Sequence, residues 1–160
     1  MRDSYTYTSK DRLFEVTLHR QVCEMMRELC GKLHPKETGG ILIGYYSEDQ
    51  HTAIITKITG PPGDSKHGLA WFERGTEGLQ NILDNAWEKE QVYYLGEWHY
   101  HPKDFPSPSS IDINQMELIS KNPKYHCPEP ILIIVNGDTN KTLCAYVFPS
   151  DKSYISLEEF

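Results

Sequence analysis

Gly96-Glu97-Trp98-His99-Tyr100-His101-Pro102, followed by Ser109-Ser110-Ile111-Asp112, is the stretch on which the reading of fold and chemistry turns. Gln91 to Tyr100 is rich in Val, Tyr and Trp, the composition of a strand. Residues two apart on a strand share a face, so His99 and His101 present their rings to one point. Pro102 to Pro108 is proline-rich loop, and Ser109 opens a short helical pattern with Met116 and Ile119. Asp112 falls in the first turn of that helix, eleven residues after His101, and its carboxylate can return to the strand's end. Two neutral imidazoles and one carboxylate leave a tetrahedral zinc with a fourth position for water, as in catalytic sites; structural sites recruit cysteines instead. Two further readings stand beside this one. Histidines at i, i+2 also arise by chance, and an Asp near a helix start complements the helix dipole without a metal. Glu97 shares the face of His99 and His101 and makes a rival Glu/His/His set, with His126 as the available further histidine.

Outward from this stretch the pattern alternates between strands and helices. Phe14, Val16 and Leu18 alternate with polar residues as in a half-buried strand, and Val22, Met26, Leu29 and Leu33 draw one apolar helical stripe that Gly31 and Pro35 help to end. Glu37 leads into Thr38-Gly39-Gly40-Ile41-Leu42-Ile43-Gly44-Tyr45-Tyr46, a continuous apolar run bounded by glycines, and His51 to Ile58 makes the next strand. The segment from Pro61 to Gly75 is loop chemistry with Trp71 and Phe72 but no clean period. Thr76 is placed to cap a helix whose Leu79, Ile82, Leu83, Ala86 and Trp87 form the face buried on a sheet. Ile131 to Val135 and Thr142 to Phe148 read as two strands around a turn at Asn136-Gly137-Asp138, and Tyr154, Ile155 and Leu157 in the acidic tail are left open between a last strand and none. The absence of repeats, linkers and low-complexity tracts predicts one compact α/β or α+β unit.

Composition narrows the function. The 160 residues carry 16 Lys and Arg against 23 Asp and Glu, a formal charge of −7. With no basic run to neutralise phosphates, nucleic acid is not expected as a partner, and a cationic or neutral surface fits better. Met1 to Glu15 hold no apolar signal segment, and the longest aliphatic run, Ile131 to Val135, is far short of a membrane span of roughly 20 residues. Cys23, Cys30, Cys127 and Cys144 lack metal-binding or disulfide spacing. The expectation is a non-membrane, cytoplasmic protein whose cysteines are reduced core residues.

Taken together, Glu37 before a Gly-Gly strand, His99-x-His101-Pro102 and Ser109-x-x-Asp112 resemble the complete JAMM motif of MPN/JAB-domain metallopeptidases. Gly96-Glu97-Trp98-His99 and Pro106-Ser107-Pro108-Ser109 are most similar to bacterial JAB peptidases beside ubiquitin-like conjugation genes, including those of CBASS anti-phage operons. The resemblance runs from the first helix to the last strand. It implies one MPN/JAB domain over residues 1–160, with a cytidine deaminase-like mixed β-sheet flanked by helices. It further implies one Zn2+ per chain on His99, His101 and Asp112, with Glu37 as general base turned general acid and Ser109 as donor to the oxyanion. The implied activity is isopeptidase or peptidase cleavage after the tail of a ubiquitin-like protein, or of a protein conjugated by similar chemistry. E1-like and E2-like operon partners and a role in antiviral defence go with it. Processing of a sulfur-carrier precursor is a related outcome, and a non-catalytic MPN scaffold is the contrasting one, although scaffolds generally lack ligands that are all present here. Tyr100 departs from the family's small Ser or Thr; on the opposite strand face, it bears on packing or substrate fit. The loops Pro61 to Arg74, with Trp71 and Phe72, and Lys103 to Pro108, with Phe105, are candidate grips for the tail, which would lie extended by strand addition.

Overall fold

A computed structural model describes residues 1–103 and 107–160. Its central strand is the histidine-bearing one, β7 (Tyr93–His101), whose residues after Tyr93 are all buried. Numbered in chain order, β1 (Ser4–Thr8) and β2 (Glu15–His19) precede α1 (Arg20–Leu33); β3 (Thr38–Tyr46), β4 (Thr52–Ile58) and the two-residue strands β5 (Lys66–His67) and β6 (Phe72–Glu73) follow. Then come α2 (Leu79–Glu90), β7, α3 (Ser110–Lys121), a 3-10 turn at Pro123–Tyr125, β8 (Ile131–Asn136), β9 (Leu143–Val147) and β10 (Ile155–Glu159). The strands pair in the order β1-β10-β9-β8-β7-β3-β4-β2, and β1 pairs with β2, so the mixed sheet closes on itself. Each of the two parallel pairs, β7 with β8 and β2 with β4, has a helix in its connection, as a parallel crossover requires.

The closed sheet buries two cores, one on each face. On the inner face α1 lays Val22, Cys23, Met26 and Cys30 against Leu18, Leu42, Ile55, Leu95, Trp98 and Ile133. Of the expected stripe Val22 and Met26 are buried, Leu29 packs half-buried at the edge and Leu33 is half-buried outside this core, the two cysteines taking the remaining inner positions. On the outer face α2 and α3 cover Ile41, Ile43, Leu132 and Ile134 with Leu79, Ala86, Met116 and Ile119. Cys127 belongs to this second core, and the acidic tail is a strand, β10, that pairs with β9 and β1. β1 itself has no counterpart in the sequence reading.

α2 differs from expectation at its start and along its edges. It begins at Leu79 after Gly78, whose φ of 78° is left-handed, and Thr76 contributes only its carbonyl, accepting from the Leu79 N–H at 3.1 Å. Of the predicted face, Leu79 and Ala86 are buried, whereas Ile82 and Trp87 are 43% and 56% exposed. At about 100° per residue, Ile82 and Trp87 stand roughly 60° and 80° to either side of Leu79, so they are the rims of a stripe wider than the contact.

Gly96 sets which side chains of β7 face outward. Leu42 pairs with Gly96 but Ile43 pairs with Tyr94, so Leu95 is an extra residue and the strand bulges. The bulge puts Leu95, Trp98 and Tyr100 in the inner core while Tyr94 lies in the outer one, on the face carrying Glu97, His99 and His101. Gly96 has φ 154°, and a Cβ there would lie 2.6 Å from the Ile131 nitrogen. Gly96→Ala is therefore expected to cost about 1–3 kcal/mol and lower the thermal midpoint by about 2–12 °C, measured by calorimetry. An unchanged midpoint would mean that the bulge is not strained.

Candidate metal centre

The outer end of β7 meets the start of α3. Ser109 is the N-cap of α3, its hydroxyl oxygen accepting from the Asp112 N–H at 3.1 Å, while Asp112 Oδ2 accepts from the Ser109 N–H at 2.9 Å. This reciprocal capping box satisfies two helix-start donors and fixes the Asp112 carboxylate against the strand. Asp112 Oδ1 lies 2.9 Å from His99 Nδ1, and Oδ2 lies 3.1 Å from His101 Nε2. One donor atom from each of the three lies within 4.8 Å of the others, and all three residues are buried.

The set fits zinc on its own chemistry. Two imidazoles and a carboxylate form a catalytic ligand set, and among the described residues His99 Nε2 is buried without a hydrogen-bond partner, an expensive state for a nitrogen that has nothing to bind. Burial alone would raise the Asp112 carboxyl, but hydrogen bonds from His101, His99 and the Ser109 backbone outweigh it and hold the group well below the usual carboxylate range. Asp112 is thus an anion, the form that ligates.

Glu37 reaches the same spot from the position just before β3. β3 pairs antiparallel with β7, Thr38 opposite Tyr100 and Gly39 opposite His99, which brings the preceding Glu37 alongside His101. Its Oε1 lies 3.8 Å from His101 Nε2, with 13% of the side chain exposed. Burial pushes its carboxyl above the ordinary value, with His101 opposing. Gly39 is what permits the close approach: a Cβ there would come within 2.9 Å of His99 Cδ2 and closer still to the Trp98 carbonyl.

The rival ligand set does not assemble. Glu97 shares the outward face but is engaged by Arg74 Nε at 2.5 Å and by the Tyr94 hydroxyl at 2.5 Å. His126 caps the 3-10 turn. Tyr100 points into the inner core, sharing a 2.7 Å hydrogen bond with His34 Nδ1 and accepting from Lys141 Nζ at 3.4 Å. Of the candidate grips, Phe72 is buried with its ring against His99, Trp71 is exposed, and Phe105 lies outside the described residues. The sequence reading missed Arg74, whose segment has no period to mark it, and His67, whose Nδ1 is 2.8 Å from the Glu37 carbonyl oxygen.

A family model described as prokaryotic homologs of the JAB domain matches residues 19–147, a span that contains Glu37, His99, His101, Ser109 and Asp112. This chain belongs to the prokaryotic JAB-domain family. The JAB chain is 42% identical over 156 residues to the "CD-NTase/cGAS isopeptidase" of Enterobacter hormaechei subsp. hoffmannii (strain UCI 50), covering 96% of this chain and 86% of that one. It is 28% identical over 125 residues to "Probable metalloprotease y4qB" of Sinorhizobium fredii (strain NBRC 101917 / NGR234), covering 76% of each. In fold it is similar to the solution structure of protein DSY2949 from Desulfitobacterium hafniense, with a TM-score of 0.60 at 17% identity, covering 91% of the JAB chain and 89% of the other. Among its described residues no helix is long and apolar enough to cross a membrane.

Proposed function

We propose that this JAB-domain chain is a zinc-dependent isopeptidase that hydrolyses the bond after the C-terminal tail of a ubiquitin-like, or similarly conjugated, protein. The observation that carries the reading is the convergence of His99, His101 and Asp112 with Glu37 Oε1 only 3.8 Å from His101. Zinc held by His99, His101 and Asp112 would supply a Lewis acid and make water acidic near neutral pH. Glu37 takes the proton from the attacking water at a carboxylate oxygen and delivers it to the leaving amine nitrogen. Ser109 accepts from the Asp112 N–H and so keeps its own hydroxyl proton to donate to the oxyanion.

The relatives' names bring the substrate class into the proposal. The name of the 42% identical relative, a CD-NTase/cGAS isopeptidase, supports a conjugated CD-NTase as the target; E1-like and E2-like conjugating partners and a setting in anti-phage defence enter the proposal from the motif resemblance alone. The unbridged cysteines, three of them buried, agree with work in a reducing cytoplasm. The outer face also carries a cavity of about 510 Å³ lined by Ile41, Leu79, Leu83, Tyr94 and Tyr125 among others. Glu37, His99, His101, Ser109 and Asp112 are not in its lining, so it has the volume for a side chain of the substrate away from the cleaved bond.

Metal analysis of purified protein is expected to find one zinc per chain. Cleavage of a ubiquitin-like fusion is expected to stop with chelator and return with added zinc. A protein refilled with zinc that holds no stoichiometric metal, or cleavage indifferent to chelator, overturns the reading.

A further inference from the structure

The short hairpin of β5 and β6 touches two members of the site at once. The Gly68 carbonyl accepts from the Glu37 N–H at 2.8 Å, and His67 Nδ1 lies 2.8 Å from the Glu37 carbonyl oxygen, so both backbone groups of Glu37 are held by the hairpin. From its other strand, Phe72 meets the His99 ring edge-on, with centroids 5.6 Å apart and planes at 79°. Two strands of two residues each are not stable on their own, so something else must hold the hairpin in place.

Arg74, the residue after β6, supplies the fastening. Its Nε donates to Glu97 Oε1 at 2.5 Å, its Nη2 to the Tyr125 hydroxyl at 2.9 Å and its Nη1 to the Gly75 carbonyl at 2.8 Å. The Arg74 and Glu97 side chains are only 8% and 4% exposed, and the Tyr94 hydroxyl donates to the second Glu97 oxygen at 2.5 Å. Glu97 stands two residues before His99 on the same strand face, so the grip transmits directly to the metal strand. A buried ion pair gives little net stability over an apolar pair of similar shape; what it can give is one fixed arrangement. The planar guanidinium, serving Glu97, Tyr125 and Gly75 from one fork, has the geometry for that task.

We infer that Arg74 is a positioning residue: by gripping Glu97 it locks the β5–β6 hairpin, and the hairpin in turn holds the Glu37 backbone and the His99 ring in their working orientations. The kinetic arm of this inference rests on the isopeptidase reading; the exchange arm does not.

The test compares wild type with Arg74→Met/Glu97→Leu, which removes both charges together and is expected to melt within about 10 °C of wild type. Well below either melting point, the Glu37 amide is expected to exchange its hydrogen at least about tenfold faster, because opening of the hairpin exposes it. Zinc alone, titrated by chelator competition, is expected to bind about 10–100-fold more weakly, and kcat on a ubiquitin-like fusion to fall more than KM rises. A folded double variant with amide exchange, zinc affinity and kcat all unchanged overturns the inference. Should the double variant not fold, Arg74→Lys decides: it keeps the charge but loses the fork, so exchange and kcat are expected to move by about threefold or more, and no movement overturns the inference. Wild-type protein that binds no zinc and cleaves nothing would retire the isopeptidase reading, while Glu37 exchange in the variants would still decide the role of Arg74.

Discussion

Replacing Glu37 by Gln is expected to lower kcat by about 10²–10⁴-fold, the range of a positioned general base. Zinc content and thermal midpoint should stay close to wild type. The amide side chain has the size of the carboxylate it replaces, the backbone bonds to Gly68 and His67 are untouched by the change, and Glu37 is not one of the three clustered donors. The loss should therefore lie in kcat with KM nearly unmoved, the signature of an interaction made in the transition state. Cleavage at the wild-type rate by a fully metallated Glu37→Gln protein would remove the assigned base.

The second large effect separates two tasks that Asp112 performs together. Asp112→Asn keeps an oxygen to accept from the Ser109 N–H but loses the anionic ligand. Four-ligand zinc sites bind with about 10–16 kcal/mol, so one ligand's share is about 3 kcal/mol and the affinity should fall by roughly 10²-fold. Asp112→Ala loses the capping contact as well, adding about 1 kcal/mol of destabilisation and about 2–4 °C in thermal midpoint relative to Asp112→Asn. Chelator competition reads the first quantity and calorimetry the second. Equal zinc affinity in Asp112→Asn and wild type would exclude Asp112 as a ligand, and equal midpoints for the two variants would exclude the capping role.

The parts of the site legible in the sequence are those governed by local periodicity. His99 and His101 share a face because a strand alternates, and Ser109 with Asp112 forms a capping box because the i, i+3 spacing is itself the motif. Val22 and Met26 of the α1 stripe were legible for the same reason, while Leu33 lies beyond the surface that covers the helix. Glu37 was not: nothing near it announces chemistry, and only its resemblance to a family motif singled it out before the β3–β7 register placed it beside His101. Glu97 was seen on the right face and offered the wrong partner, because Arg74 lies 23 residues earlier in a segment without a period. Ile82 and Trp87 were expected in the core because a helical wheel gives the direction of a stripe and not the width of the surface that covers it.

Closure of the main sheet has a consequence for any peptide that approaches in extended form. With β1 joined to β2, the eight-stranded sheet offers no full-length open edge, and unpaired main-chain groups at an edge are what recruit an incoming strand. Among the described strands, β5 and β6 stand outside that closed circuit. If the proposed tail binds by adding a strand, the open backbone left to it is that of the hairpin resting on Glu37 and His99, and closure of the barrel would steer an extended guest toward His99, His101 and Asp112 instead of a remote edge.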